Sequence, residues 1–231
     1  MSQTNIGKKI KSTFTVIAFL LCLSVIGIQK NVSAHEIPSD VVINSYLKPN
    51  EATANLLIRA PLEAMRDMNF PLIGPGYLQL DKMQEYSMDA AEIWLGNFVD
   101  LYEGSQKIEN WQISATRISL PSNRSFYDYD SAYENIFSPA LPNEILLHHE
   151  QALLDVLITY PIKSRDSAFS IDLNFGGLGL NTTTIMTFIS NEDVSRVYEF
   201  KGSPGLVELD PTWHSAFLRF VNSGIEHILS G

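Results

Sequence analysis

The sequence predicts an α+β domain, mainly antiparallel β and sandwich-like, with inserted helices and an amphipathic C-terminal helix. Three observations carry this. Short segments of alternating or β-branched apolar residues recur along the chain, most clearly FSIDLNF (169–175) and TTIMTFI (183–189). Turn residues separate them closely, as between antiparallel strands. Stretches with apolar residues at helical spacing interrupt or follow the strand segments.

In chain order, 41–47 and 53–60 read as strands joined by Lys48-Pro49-Asn50-Glu51, a hairpin. Pro61 suits a first helical position, with Leu62, Met65 and Met68 on one face. Pro71, Gly74, Pro75 and Gly76 end that segment. Residues 81–102 form the best internal helix, since Met83, Tyr86, Ala90, Ile93, Trp94, Phe98 and Leu101 fall near 3–4 spacing. Gly104 stops it. A strand follows over 107–120, then a short aromatic-rich helix over 125–137 whose rings are read as packing. Further strands are predicted at 143–147, 151–160, 168–175, 183–189 and 196–200. Asp210 as cap and Pro211 as first residue open the last helix, with Trp213, Phe217, Phe220, Val221, Ile225, Ile228 and Leu229 at helical spacing.

The N-terminus has the parts of a secretory signal peptide in order. Lys8, Lys9 and Lys11 precede an uncharged apolar run over 14–28, and Val32-Ser33-Ala34 offers a small-residue cleavage site. The run is shorter than the ~20 residues of a membrane span. Cleavage after Ala34 is expected, with an uncleaved anchor as the rival. Cys22, the one cysteine, lies in the run, and Leu21 before it argues against a lipoprotein signal. The organisation predicted is a signal peptide at 1–34, an extracytoplasmic β-rich domain at 35–209, and at 210–231 a helix leading toward a transmembrane region.

Removing the signal leaves 197 residues without cysteine, so neither disulfides nor thiolate metal sites are expected. It leaves 12 basic against 26 acidic residues, a formal charge of −14. Such a surface repels nucleic acid and anionic headgroups.

Motifs for catalysis fail. No G-x-S-x-G elbow occurs. His35-Glu36 opens like H-E-x-x-H, but position 39 is Ser. Gly177-Leu178-Gly179 reads as a strand-connecting loop. His35 is the more interesting residue: cleavage after Ala34 would make it the mature N-terminus, whose α-amine and imidazole chelate Cu(II). His148, His149, His214 and His227 are the candidates for a further imidazole. Adjacent His148 and His149, read on a strand, point to opposite faces of an exposed segment. His214 and His227 stand roughly 20 Å apart along one predicted helix, too far to share an ion.

Several strings are unusual: HEIPSD (35–40), PLEAMRD (61–67), FPLIGPGYL (70–78), SLPSNRSF (119–126), QALLDVL (151–157) and PGLVELDPTWH (204–214). Together they resemble the N-terminal extracytoplasmic region of bacterial HupE/UreJ-type membrane proteins. The resemblance implies a non-enzymatic domain, held at the periplasmic face of the inner membrane through a following bundle of transmembrane helices. The family is tied to nickel or cobalt uptake, so the domain would support transport or bind a ligand. It also implies one metal position: His227 and Gly231 match the start, H-x-x-x-G, of a pattern in which Asp-His then follows, and the given residues stop before that Asp-His. Two rival readings stand beside it, a soluble periplasmic copper protein using His35 and a secreted hydrolase. The sequence names no protein partner.

Overall fold

The computed structural model describes residues 37–190 and 194–209. These form an α+β fold of open, mostly antiparallel sheets, and the described residues include two α-helices. The signal segment, His35 and the predicted C-terminal helix lie outside the described residues.

The larger sheet has six strands, namely β1 (Asp40–Pro49), β2 (Thr53–Pro61), β7 (Gln112–Ser119), β8 (Leu153–Pro161), β10 (Asn181–Ile189) and β11 (Ser195–Lys201). Their order is β11-β10-β1-β2-β8-β7. Neighbours run antiparallel except β1 and β10, which are parallel from Asp40↔Asn181 to Leu47↔Phe188. The smaller sheet contains β5 (Val99–Glu103), β6 (Gln106–Lys107), β9 (Phe169–Leu173) and β12 (Leu206–Glu208), in the order β12-β9-β5-β6. A two-stranded ribbon of β3 (Leu72–Ile73) and β4 (Tyr77–Leu78) stands apart.

The sheets share one core. On β2, Ala54, Leu56, Ile58 and Ala60 face it, and on β8 Leu154, Val156, Ile158 and Tyr160 do the same. Leu101, Phe169, Ile171 and Leu173 come from the small sheet, and the Phe169 and Phe188 rings meet at 6.4 Å. Helix α1 (Met83–Trp94) adds Met83, Ala90 and Ala91. The opposite face of β2 and β8 is covered as well: Leu57 and Leu157 pack with Ala132 and Ile136 of α2 (Tyr129–Ile136). Burial on both faces explains why these central strands read as nearly continuous apolar runs. Asp128 caps α2, accepting from the Ser131 amide at 2.8 Å.

Four local expectations are corrected. The helix expected from Pro61 is one 3-10 turn, Leu62–Ala64, with Pro61 as its cap. The helix predicted over 81–102 ends at Trp94; Gly96–Phe98 is a 3-10 turn and Val99–Glu103 is strand β5. Val99 and Leu101 are buried with Asp100 between them, which satisfies a period of two as well as the tail of a helical period. Gly104, at φ +60°, is then a hairpin turn and not a helix stop. The strand predicted over 107–120 is divided between the two sheets as β6 and β7. Residues 143–147 form no strand, although the Leu147 carbonyl accepts from the Leu78 amide at 2.9 Å.

Candidate functional site

Two charged residues interrupt the apolar central strands, Arg59 in NLLIRAP and Asp155 in LLDVLIT. The antiparallel register sets them directly opposite each other. Both point to the face covered by α2, since they share the alternation of Leu57 and Leu157. Asp155 is fully buried and Arg59 is 5 % exposed.

The pair is bidentate: Arg59 Nε donates to Asp155 Oδ1 at 2.6 Å and Nη2 to Oδ2 at 2.7 Å. Oδ2 also accepts from Ser119 Oγ at 2.6 Å, from β7, and from Asn135 Nδ2 at 3.1 Å, from α2. Oδ2 thus takes three donors and Oδ1 one. On the far side of the guanidinium, Nη1 donates to the Asn123 carbonyl at 2.9 Å, while Nη2 reaches Asn123 Oδ1 and Ser125 Oγ at 3.1 and 3.0 Å. Its flat face lies 4.3 Å over the Phe126 ring. Asn123 Nδ2 closes the circuit onto Asn135 Oδ1 at 3.0 Å. Chemically, this is a buried, charge-compensated and heavily hydrogen-bonded pair. It ties β2, β7, β8, α2 and the 123–126 turn to one point.

A second polar node joins the β3–β4 ribbon to the 3-10 turn His149–Gln151. His148 Nε2 donates to the Pro75 carbonyl at 3.2 Å, and His149 Nδ1 donates to that of Gly76 at 3.2 Å. The His149 amide shares the Gly76 carbonyl at 3.0 Å. Gly76 has φ +126°, and a Cβ there would overlap the His148 ring, so the string GPGY needs glycine for two independent reasons. Glu150 Oε2 stands 3.5 Å from His148 Nδ1, and Tyr77 meets the His148 ring edge-on at 5.7 Å. The sequence reading of this pair is corrected. His148 and His149 are not on a strand, their rings lie 4.8 Å apart on one side, and both are half-buried. The turn, lacking two-residue alternation, brings the neighbouring side chains together.

The predicted metal positions are not brought together with either node. His35, His214 and His227 lie outside the described residues. Among the described residues, no three His, Cys, Asp or Glu side chains are placed to hold one ion. Nor is any helix there long and apolar enough to cross a membrane. The loop reading of Gly177-Leu178-Gly179 agrees with the structure, where the 3-10 turn Phe175–Leu178 links β9 to β10. Sequence reasoning missed the Arg59–Asp155 network. Its signal was available: a lone charge in each of two otherwise apolar strands requires a partner.

Compared with known proteins, the chain matches no family model and no curated sequence.

Proposed function

We propose that this chain is the non-enzymatic extracytoplasmic domain of a HupE/UreJ-like membrane protein. On this reading it is exported by its N-terminal signal and held at the periplasmic face of the inner membrane by helices that follow residue 231. There it supports nickel or cobalt transport or binds a ligand for the membrane part.

One observation carries the reading. The unusual strings that suggest the family lie far apart in sequence, yet SLPSNRSF and PLEAMRD both meet QALLDVL, and others brace the same fold. From SLPSNRSF, Ser119 donates to the Asp155 carboxylate of QALLDVL, while Asn123, Ser125 and Phe126 hold Arg59, the partner of that carboxylate. PLEAMRD joins QALLDVL through the Leu62 amide and the Ala152 carbonyl at 2.9 Å. FPLIGPGYL holds the histidine turn through Pro75 and Gly76. PGLVELDPTWH contributes β12, which pairs with β9. Strings that specify one shared architecture are what a family of domains would keep. The fully buried, ion-paired carboxylate also favours an architectural over a catalytic role.

The test is the coding DNA beyond codon 231, read together with N-terminal sequencing of the exported protein. The expected result is a series of hydrophobic spans, the first continuing His227 and Gly231 into an Asp-His pair, and a mature protein starting at His35. An immediate stop codon in the gene, with no downstream spans, overturns the reading.

A further inference from the structure

A cleft of about 200 Å³ opens between α1, β7 and the segment that follows α2. It lies apart from the histidine turn and shares none of the donors to Asp155. Leu80, Met83, Ile118, Ile136 and Leu141 give it an apolar stretch. Asp81, Gln84, Ser87, Thr116, Arg117 and Ser138 make the rest of the lining polar. The Ser87 and Thr116 hydroxyls line it and bond to each other at 2.8 Å, and Ser87 is further committed to the Gln84 carbonyl at 2.9 Å. Asp81 stands exposed beside α1, its amide held by Asn143 Oδ1 at 2.9 Å.

Arg117 is the unusual member. In the sheet it sits opposite Asp155, whose carboxylate accepts from Arg59, Ser119 and Asn135. Arg117 itself forms no contact ion pair among the described residues. Its Nη1 donates to the carbonyls of Ser138 and Pro139, which holds the side chain in the cleft wall. Its Nε is enclosed and out of a ligand's reach, whereas Nη2 is neither enclosed nor hydrogen-bonded among the described residues. A guanidinium stays charged in such a setting. Asp155 acts on Arg117 electrostatically, but Arg59 and Arg117 share that one carboxylate, so one positive charge is left over beside the cleft. That charge and the unbonded Nη2 beside an apolar stretch define one ligand chemistry. The volume, below the ~300–1,000 Å³ of sites for drug-sized molecules, limits the size.

We propose that this cleft binds a short-chain monocarboxylate, its carboxylate on Arg117 and its hydrocarbon chain along Met83, Ile118 and Leu141. The inference is independent of the family reading. Asp81, at the exposed rim, is screened by solvent and opposes the ligand only weakly.

Calorimetric titration of the full chain with butyrate and hexanoate tests it, with 1-hexanol as the uncharged control. Saturable binding of the acids is expected, tighter for hexanoate, with at least tenfold weaker binding of the alcohol. Arg117→Gln should weaken hexanoate at least tenfold. Because that change also loosens the Ser138–Pro139 segment, Ala140→Trp is the second variant. Ala140 is exposed and lines the cleft, so the indole should block binding while leaving the thermal unfolding midpoint unchanged. No saturable binding of either acid, equal binding of 1-hexanol, or full hexanoate affinity in Ala140→Trp overturns the proposal.

Discussion

Replacing Asp155 with leucine leaves the Arg59 guanidinium buried beneath α2 with no counter-ion. The change removes both arms of the bidentate pair and the acceptor used by Ser119 and Asn135. Breaking a buried pair from one side costs about 3–5 kcal/mol. For a chain of this size each kcal/mol moves the melting midpoint by roughly 2–4 °C, so a loss of about 6–20 °C is expected. The double variant Arg59→Met/Asp155→Leu discriminates between explanations. It removes both charges, so it should be more stable than Asp155→Leu alone. Ser119, Asn123 and Asn135 still lose partners, so recovery to wild type is incomplete. Urea unfolding followed by tryptophan fluorescence of wild type, Arg59→Met, Asp155→Leu and the double variant gives the four stabilities, and the cycle should show coupling of about 0.5–3 kcal/mol. If the two single losses simply add, or if Asp155→Leu costs less than about 1 kcal/mol, the account of this network is wrong.

Three further outcomes are expected. Gly76→Ala forces a side chain into a left-handed position and against His148, at about 1–3 kcal/mol; a melt checks the loss, and the His148 ring resonances should shift. Leu57→Ala opens a cavity beneath α2 and should cost about 2–5 kcal/mol, with hydrogen exchange rising first in Tyr129–Ile136. Burial pushes the Glu103 carboxyl up, but hydrogen bonds from Ser167 Oγ and the amides of Lys163 and Ser164 outweigh it and hold the group below its ordinary 4.5. A depressed folded value means that its contribution is full above the ordinary value and disappears as pH falls through the folded one. Glu103→Gln should therefore be less stable than wild type at pH 7 and converge on it in acid; a pH-independent difference in midpoint contradicts the assignment.

The unusual residues of this chain are architectural at the level of side chains. Asn123 illustrates the point. Its Oδ1 accepts from the Ser125 amide and hydroxyl at 2.9 and 2.6 Å, which shapes the turn, and the same atom receives Arg59. A local turn signal in SLPSNRSF thus also seats a buried cation. The aromatic segment behaves similarly: Phe126 and Tyr129 pack around Tyr46, at 6.1 and 6.3 Å, as a packing role predicts, although Tyr127 is left exposed.

By itself the sequence determined the local elements whose periodicity is unambiguous. Strands β1, β2, β8, β9, β10 and β11, the β1–β2 hairpin and the helix under the aromatic segment were all legible, because two-residue alternation and turn chemistry are carried by neighbouring residues. Where a pattern served two periods, as at Val99–Glu103, the choice passed to the tertiary structure, since pairing with β9 satisfies that backbone better than another helical turn. Only the tertiary structure decided the parallel pairing of β1 with β10, which joins Asp40 to Asn181 across most of the domain. It alone opposed Arg59 to Asp155 and set Arg117 on the other side of the same carboxylate. Such pairings depend on which strands become neighbours, and no local run of residues encodes that.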